Sequence, residues 1–404
     1  MIRISSWEEK GTGISRIEGE SDEEGATGVR GLMYSVSWGR IGLQRAFVGL
    51  SGSLARLRFR EIWEPEGLPQ GWTPVRPRLS GICGSDITLL KGHVSPYFRP
   101  MTSFPAVLGH EILANTSDGT RVVVIPTLSC QSRRLPPCAY CVLGQPEDCL
   151  RRADPGLGAG LMLGYHRRLP GGWGEMLWAP EEQLVRVPDA MPDERAVLAE
   201  PGAVVLAGLR RLNWAVVKEV LVIGAGTLGQ LATAMISELY PAATISVLAK
   251  YPTQAQVARA MGARYVDGIE RVTGAPLPTL RGFRPFYPRG FDAVVVTAGS
   301  PRALADAIGW VAPGGQSLLL GGVSQASFDA TPLWARHVTL VGSYGYGDGG
   351  SDTFRAVLSL YSVMHQPLET LVTHQFRLSE YKAALNQVLV QRQGVIKAAF
   401  RVED

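Results

Sequence analysis

Val220-Leu-Val-Ile-Gly224-Ala-Gly226-Thr227-Leu228-Gly229 is the stretch that decides the fold. Val220 to Ile223 read as a buried strand, and an apolar helix is expected over Leu228 to Leu239. Between them lies a G-x-G-x-x-G pattern, which is weak alone and specific in this strand–turn–helix setting. Gly224 permits the tight turn, Gly226 lets the backbone approach a pyrophosphate, and Gly229 lets helix and strand pack closely. Thr227 and Leu228 open the helix whose unpaired N–H groups would face the phosphates. The competing reading is a glycine-rich turn that holds no ligand.

Working outward, strands and helices alternate. Strands are expected at Ile245 to Ala249, Ala293 to Thr297, Ser317 to Leu320 and Val338 to Val341, with helices at Thr253 to Met261 and Arg302 to Val311. That alternation predicts an α/β unit with a doubly wound parallel sheet, a Rossmann arrangement. An NAD site of this kind usually carries a carboxylate about 20 residues past the glycines, on the ribose 2′-hydroxyl. Here the second strand ends in Ala249 and Lys250. A small residue followed by a cation accepts a 2′-phosphate, so NADP is favoured over NAD.

Upstream the pattern is β-rich. Short runs such as Leu57 to Trp63, Val75 to Ser80, Arg121 to Pro126 and Glu175 to Ala179 alternate with Gly- and Pro-containing segments. They suit an irregular, barrel-like unit. Asp193 to Leu212 reads as a helix with Asp193 as its N-cap. Helices around Thr353 to Val363 and Ser379 to Gln391 and a strand near Ala398 to Val402 close the chain. Residues 1–30 include an acidic, glycine-rich stretch, Glu18 to Gly31, and are expected to be a disordered tail. Met33 is an alternative start.

The 404 residues suit two domains, and 46% apolar against 19% charged residues is a globular composition. No apolar run long enough for a membrane span is seen, and no secretory signal is expected from Met1 to Lys10. The formal charge of +4 comes without a dense basic block, so nucleic acid is not an expected partner. A cytoplasmic enzyme or binding protein remains. The five cysteines form an odd number, which argues for metal or thiol chemistry over a disulfide framework. Cys130-x7-Cys138-x2-Cys141-x7-Cys149 offers four soft ligands in one loop. Such a set suits a closed, structural zinc site; unpaired or redox thiols are the alternative. Gln131 to Pro137 would then have to bulge out.

Three further segments bear polar groups of metal-site type. Gly81-Ile-Cys83-Gly-Ser85-Asp86 follows a strand, Gly109-His110-Glu111 follows an apolar pair, and Leu198-Ala-Glu200-Pro201 lies near the link to the nucleotide unit. Each is weak alone, since a lone Cys or His is usually structural. Together Cys, His and carboxylate are the ligand set of an open zinc site.

With the four-cysteine loop and the glycine turn, these motifs stand in the order of the zinc-dependent medium-chain dehydrogenase/reductase family. The sequence resembles that family, in its polyol, sugar and threonine dehydrogenase branch, from about residue 55 onward. Gly171-Gly-Trp-Gly-Glu175 and Gly394-Val-Ile-Lys397 are further matches.

The resemblance implies a β-rich GroES-like catalytic domain over 31–201 and 343–404 and a Rossmann domain over 202–342. It implies that Cys83 and His110 bind a catalytic zinc, with Glu111 or Glu200 as third ligand and Asp86 orienting a ligand. Ser85 would pass the substrate proton outward. Many relatives carry a His three positions later; here Thr88 stands there, with His93 as a possible substitute. Ala298, Gly322, Val323, Ser343 and Tyr344 would line the nicotinamide end. The expected partner is a small-molecule alcohol or carbonyl, with a polyol, sugar or other secondary alcohol favoured over a primary or amino-acid alcohol. Trp173, Tyr97 and Phe98 could wall its pocket. A homodimer or homotetramer is expected. The competing readings are a zinc-free quinone or enoyl reductase of the same fold and a non-catalytic NADP-binding sensor.

Overall fold

The computed structural model describes residues 28–35, 56–62, 64–277, 287–347, 350–391 and 394–402. Residues 1–27 of the expected tail lie outside them. Arg30–Ser35 is a strand in which Leu32 is wholly buried. A chain starting at Met33 would therefore lose a core side chain.

Six parallel strands form the nucleotide sheet. Across the sheet they run Tyr265–Val266, Thr244–Leu248, Glu219–Ile223, Phe291–Val296, Val311–Leu319 and Thr339–Gly342. The order reverses between Glu219–Ile223 and Phe291–Val296, which share one register. Doubly wound sheets bind ligands beyond the carboxyl ends of their strands at such a point. The apolar runs of the sequence became these strands because helices cover both faces, which leaves no face for water. The helix Thr227–Leu239 packs behind the first strand with Gly229 to Ile236 buried.

A second sheet joins distant parts of the chain. Its order is Val372–Arg377, Lys397–Arg401, Trp72–Gly81, Glu111–Asn115, Arg121–Val124 and Leu184–Arg186, with Leu177–Pro180 on the start of Trp72–Gly81. The strand at 397–401 thus lies against the strand at 72–81, Ala399 opposite Gly81. A third, small sheet holds Arg56–Glu61, Arg30–Ser35 and Ala106–Val107. Among the described residues no helix is long and apolar enough to cross a membrane.

The helix expected from Asp193 to Leu212 is two helices, Asp193–Ala196 and Ala199–Leu209. Asp193 is not the cap; Pro192 holds that place. The Asp193 carboxylate instead takes Arg78 and Arg121, each at 2.7 Å. Burial works against that charge, but the two guanidinium groups hold its pKa below the usual carboxylate value. The pair ties the barrel strands to the start of the linking helix. That second helix is buried almost all round, which its apolar sequence requires.

The loop over 156–168 is held by His166 and Arg133. The His166 ring donates from Nε2 to the Gly158 carbonyl and accepts the Arg168 N–H at Nδ1. Burial pushes its pKa down to about 4. Arg133, also buried, donates to the carbonyls of Gly158, Gly160 and Arg152. Neutral His166 in the fold and a titrating histidine in the unfolded chain make a pH term. Its stabilisation is full above about 6.5, the unfolded value, and is lost as the pH falls towards 4. The full term is on the order of 3 kcal/mol. His166→Gln should flatten this acid limb, as read from urea midpoints between pH 4 and 7.

Candidate active site

Cys83 follows the strand Trp72–Gly81 and opens the short helix Gly84–Leu90. Its N–H donates to Asp86 Oδ2 at 2.9 Å, which ties the start of the helix. Glu111 begins the next strand and lies opposite Gly81. A Cβ on Gly81 would overlap the Glu111 carboxylate, so the glycine makes room for the acid. His110 precedes it, after Gly109 at φ +94°, where a Cβ would strike Trp173. The ligand atoms of Cys83, His110 and Glu111 all lie within 4.8 Å of one another.

Around this cluster the charges are predominantly negative. Asp86 is fully buried with Oδ1 3.5 Å from His110 Nδ1. Burial alone lowers the His110 pKa, yet Asp86 and Cys83 raise it well above the usual value. Glu200, at the start of Ala199–Leu209, accepts the Tyr346 hydroxyl at 2.7 Å. Burial pushes its pKa up to about 7, with Glu111 adding to the rise and His110 opposing it. One ammonium answers these anions. Lys397 Nζ donates to both oxygens of Glu111, at 2.7 and 2.6 Å, and to the Ile82 carbonyl. Burial acts to lower its pKa, and Glu111, with Cys83 and Glu200, more than reverses that. A sulfur, an imidazole nitrogen and a carboxylate oxygen converging on one point, with Asp86 beside them, fit a divalent zinc with an open position.

The four-cysteine loop is also assembled. The sulfurs of Cys130, Cys138, Cys141 and Cys149 lie within 4.8 Å of one another, and all are free thiols. Backbone N–H groups of Cys138, Leu150 and Arg151 point at three of the sulfurs. Burial raises the Cys138 pKa, but such N–H groups bring it down to about 6, while Cys141 is raised. Four converging sulfurs with N–H donors suit a closed tetrahedral zinc. The bulge after Cys130 is pinned by Arg134, at φ +52°, whose guanidinium pairs with Glu182 at 2.6 Å.

At the nucleotide end, Gly224 sits at φ +103°. A Cβ on Gly229 would overlap the Gly224 carbonyl, whereas nothing stands within 4 Å of a Cβ on Gly226. The three glycines thus supply turn, close packing and open space. The Thr297 hydroxyl donates to the Gly224 carbonyl at 2.8 Å and Ala298 N–H to Ile223. Gly322 lies against Gly299, and Ser343 N–H bonds the Leu319 carbonyl, so these segments gather at the strand ends. Val323 follows on the same loop. Thr227 turns its hydroxyl to the Ile396 carbonyl at 2.7 Å, next to Lys397. Leu228 is partly buried against the core. Lys250 is exposed, its Nζ 5.3 Å from the Tyr251 ring. The Asp267 carboxylate, from the neighbouring strand end, accepts the Ala249 N–H at 3.3 Å.

Other expectations need correction. Trp173 is wholly buried against Phe400 and walls no pocket. Tyr97 is 77% exposed, but Phe98 meets Tyr344 at 6.0 Å beside the cleft. Thr88 returns its hydroxyl to the Gly84 carbonyl at 2.9 Å, so it is turned along its own helix. His93 is exposed on the turn that follows. Ser85 instead meets the Tyr165 hydroxyl at 3.1 Å. Lys397, Tyr165 and Glu147 had no assigned role in the sequence. Glu147, buried between two cysteines of the loop, accepts the Tyr346 N–H at 2.6 Å. A Cβ on Gly345 would overlap its side chain.

With this geometry in hand, the family comparisons are direct. Residues 69–189 match the family Alcohol dehydrogenase GroES-like domain, and residues 227–362 match Zinc-binding dehydrogenase. The chain belongs to the zinc-type medium-chain dehydrogenase family and is an oxidoreductase of that class. It is 30% identical to glucose 1-dehydrogenase of Thermoproteus tenax over 303 residues, 69% of this chain and 75% of that one. It is 26% identical to D-arabinitol dehydrogenase 1 of Uromyces fabae over 326 residues, 77% and 84% of the two chains. The solved structure of an alcohol dehydrogenase from Thermus sp. ATN1 superposes with a TM-score of 0.70 at 22% identity, covering 93% of this chain and all of that one.

Removing the ammonium alone would strand a buried carboxylate. Lys397→Met should cost about 3–5 kcal/mol. Adding Glu111→Leu should recover much of that. Urea midpoints of the two variants check both signs.

Proposed function

We propose that this protein transfers a hydride between a secondary alcohol, polyol or sugar and NADP, at a catalytic zinc held by Cys83, His110 and Glu111. One observation carries the reading. The Cys83–His110–Glu111 cluster adjoins the nucleotide turn, joined to it through Thr227, Ile396 and Lys397. Glu200 is the carboxylate that can exchange into the third ligand place. The loop cysteines hold a second, structural zinc. The relatives' names, glucose and arabinitol dehydrogenases, support a polyol or sugar substrate.

When bound, zinc supplies Lewis acidity towards an alcohol oxygen, and the nicotinamide supplies the hydride acceptor. The chain does the rest. Asp86 orients His110. Ser85 receives the substrate proton at Oγ. Tyr344 and Phe98 pack on each other beside the cleft and offer it apolar surface. The turn from Gly224 to Gly229 receives the pyrophosphate. Thr297 to Gly299, Gly321 to Val323 and Ser343 surround the nicotinamide. The exposed edge strand Thr339–Gly342, with Leu340 on it and Trp334 nearby, suits pairing with a second copy in a homodimer.

The reading is tested by incubating purified protein with secondary alcohols, polyols and sugars, with NADP or NAD, at the absorbance of the reduced nicotinamide. Elemental analysis should give two zinc ions per chain. His110→Ala should retain one, keep the fold and lose activity. Cys138→Ser should lower soluble yield, because structural zinc binding is coupled to folding. Fully active protein free of zinc would refute the assignment.

Cofactor choice has its own test. The Lys250 pair with a 2′-phosphate is exposed, so NADP should be preferred by roughly tenfold, on the order of 1 kcal/mol. Ala249→Asp should reverse the preference by repulsion and by new ribose hydrogen bonds. Lys250→Ala should weaken NADP and spare NAD. Steady-state kinetics with both cofactors reads all three.

A further inference from the structure

Tyr165 belongs to none of the strands or helices that carry the metal donors, yet its hydroxyl joins two of their neighbours. It lies 2.7 Å from Asp86 Oδ1 and 3.1 Å from Ser85 Oγ. Its ring rests on His110, with centroids 5.4 Å apart. The backbone fixes it from both sides. Its carbonyl accepts the Ser103 N–H and its N–H donates to the Met162 carbonyl. Gly164 before it packs on Gly109, and His166 after it anchors the loop.

A phenol carries one proton. A carboxylate is the stronger acceptor, so that proton goes to Asp86. The Tyr165 oxygen then offers Ser85 only a lone pair. Ser85 must donate to it, which leaves the lone pairs of the serine oxygen turned away from the tyrosine. Ser85 is exposed, so those lone pairs are open to an incoming ligand. Thr88 is satisfied by the Gly84 carbonyl and does not compete for Ser85.

We propose that Tyr165 is a positioning residue that presets Ser85 as a hydrogen-bond acceptor for the hydroxyl of the substrate alcohol. The proposal rests on the alcohol dehydrogenase reading above. It makes the site selective for a donor: an incoming O–H is received at Ser85 without any rotation of the serine. It also couples Ser85 to the carboxylate that orients His110.

The test uses the full chain with Co(II) replacing zinc at the catalytic site and NADP bound. Binding of 2,2,2-trifluoroethanol is followed in the visible spectrum, so no turnover is needed. Tyr165→Phe should weaken binding about tenfold, the worth of one hydrogen bond between alcohol and serine. Ser85→Ala should weaken it at least as much, and the double variant no more than Ser85→Ala alone. NADP affinity should not change, whereas the melting temperature of Tyr165→Phe should fall because the buried Asp86 carboxylate loses a donor, a loss that Ser85→Ala does not share. A second variant, 4-aminophenylalanine at position 165, keeps the ring but donates to both Asp86 and Ser85. It should turn Ser85 into a donor towards the cleft and weaken the alcohol equally. Binding in either Tyr165 variant as tight as in the unaltered protein overturns the proposal. So do losses that multiply in the double variant, or no binding in the unaltered protein. With a real substrate, the same variants should lower kcat/KM in parallel. Absence of turnover in the unaltered protein would refute the dehydrogenase reading, while the binding series still decides the role of Tyr165.

Discussion

Charges out of water must be answered by charges or hydrogen bonds at contact distance, and the cleft at Cys83 is built on that constraint. Asp86, His110, Glu111 and Glu200 are all buried, as is Lys397. An unpaired buried ion costs several kcal/mol even after relaxation. Each group therefore fixes its neighbours. Gly81 lacks a side chain because the Glu111 carboxylate fills that space. Lys397 lies on the adjacent strand because only there can its ammonium span both oxygens. Tyr346 turns its hydroxyl inward because Glu200 needs a donor. The convergence of the Cys83, His110 and Glu111 donor atoms is what makes the cleft a place for a metal cation.

The cysteine loop and the catalytic cleft are not independent bodies. Glu147 sits in the loop between Cys141 and Cys149 and accepts the N–H of Tyr346. The same tyrosine donates to Glu200. Burial raises the pKa of the Glu147 carboxylate, and backbone N–H groups, that of Tyr346 among them, oppose the rise. It fastens the loop to the segment that carries Tyr346, the donor to Glu200. The cysteine site thus stabilises more than its own lobe.

What the sequence disclosed follows from the range of its interactions. The glycine turn, the cysteine loop and the Cys83, His110 and Glu111 motifs are local signals. Their spacing is set by one turn, one loop or one strand end. The structure brings Cys83, His110 and Glu111 together from two short segments, 81–86 and 109–111. Lys397 ends the Gly394-Val-Ile-Lys397 motif, yet its partner stands 286 residues earlier, and no local pattern announces such a pair. The Tyr165–Ser85 and Glu147–Tyr346 contacts bridge 80 and 199 residues. Local rules also misled where tertiary partners competed. Asp193 has the chemistry of an N-cap but is taken by two arginines. Trp173 has the bulk of a pocket wall but fills the core beside Phe400.

The position of Lys397 sets an order of assembly. During synthesis Glu111 emerges 286 residues before its ammonium. At about 5–20 residues per second the wait is roughly 15 to 60 s. Meanwhile the strand Trp72–Gly81 has an open flank where Lys397–Arg401 will pair. The nucleotide sheet, encoded between them, is complete before that flank is filled. The first half of the catalytic sheet must therefore leave the ribosome with Glu111 still hydrated. It can dehydrate only when the late strand closes over it, so the nascent chain seals its reactive centre as one of its last acts.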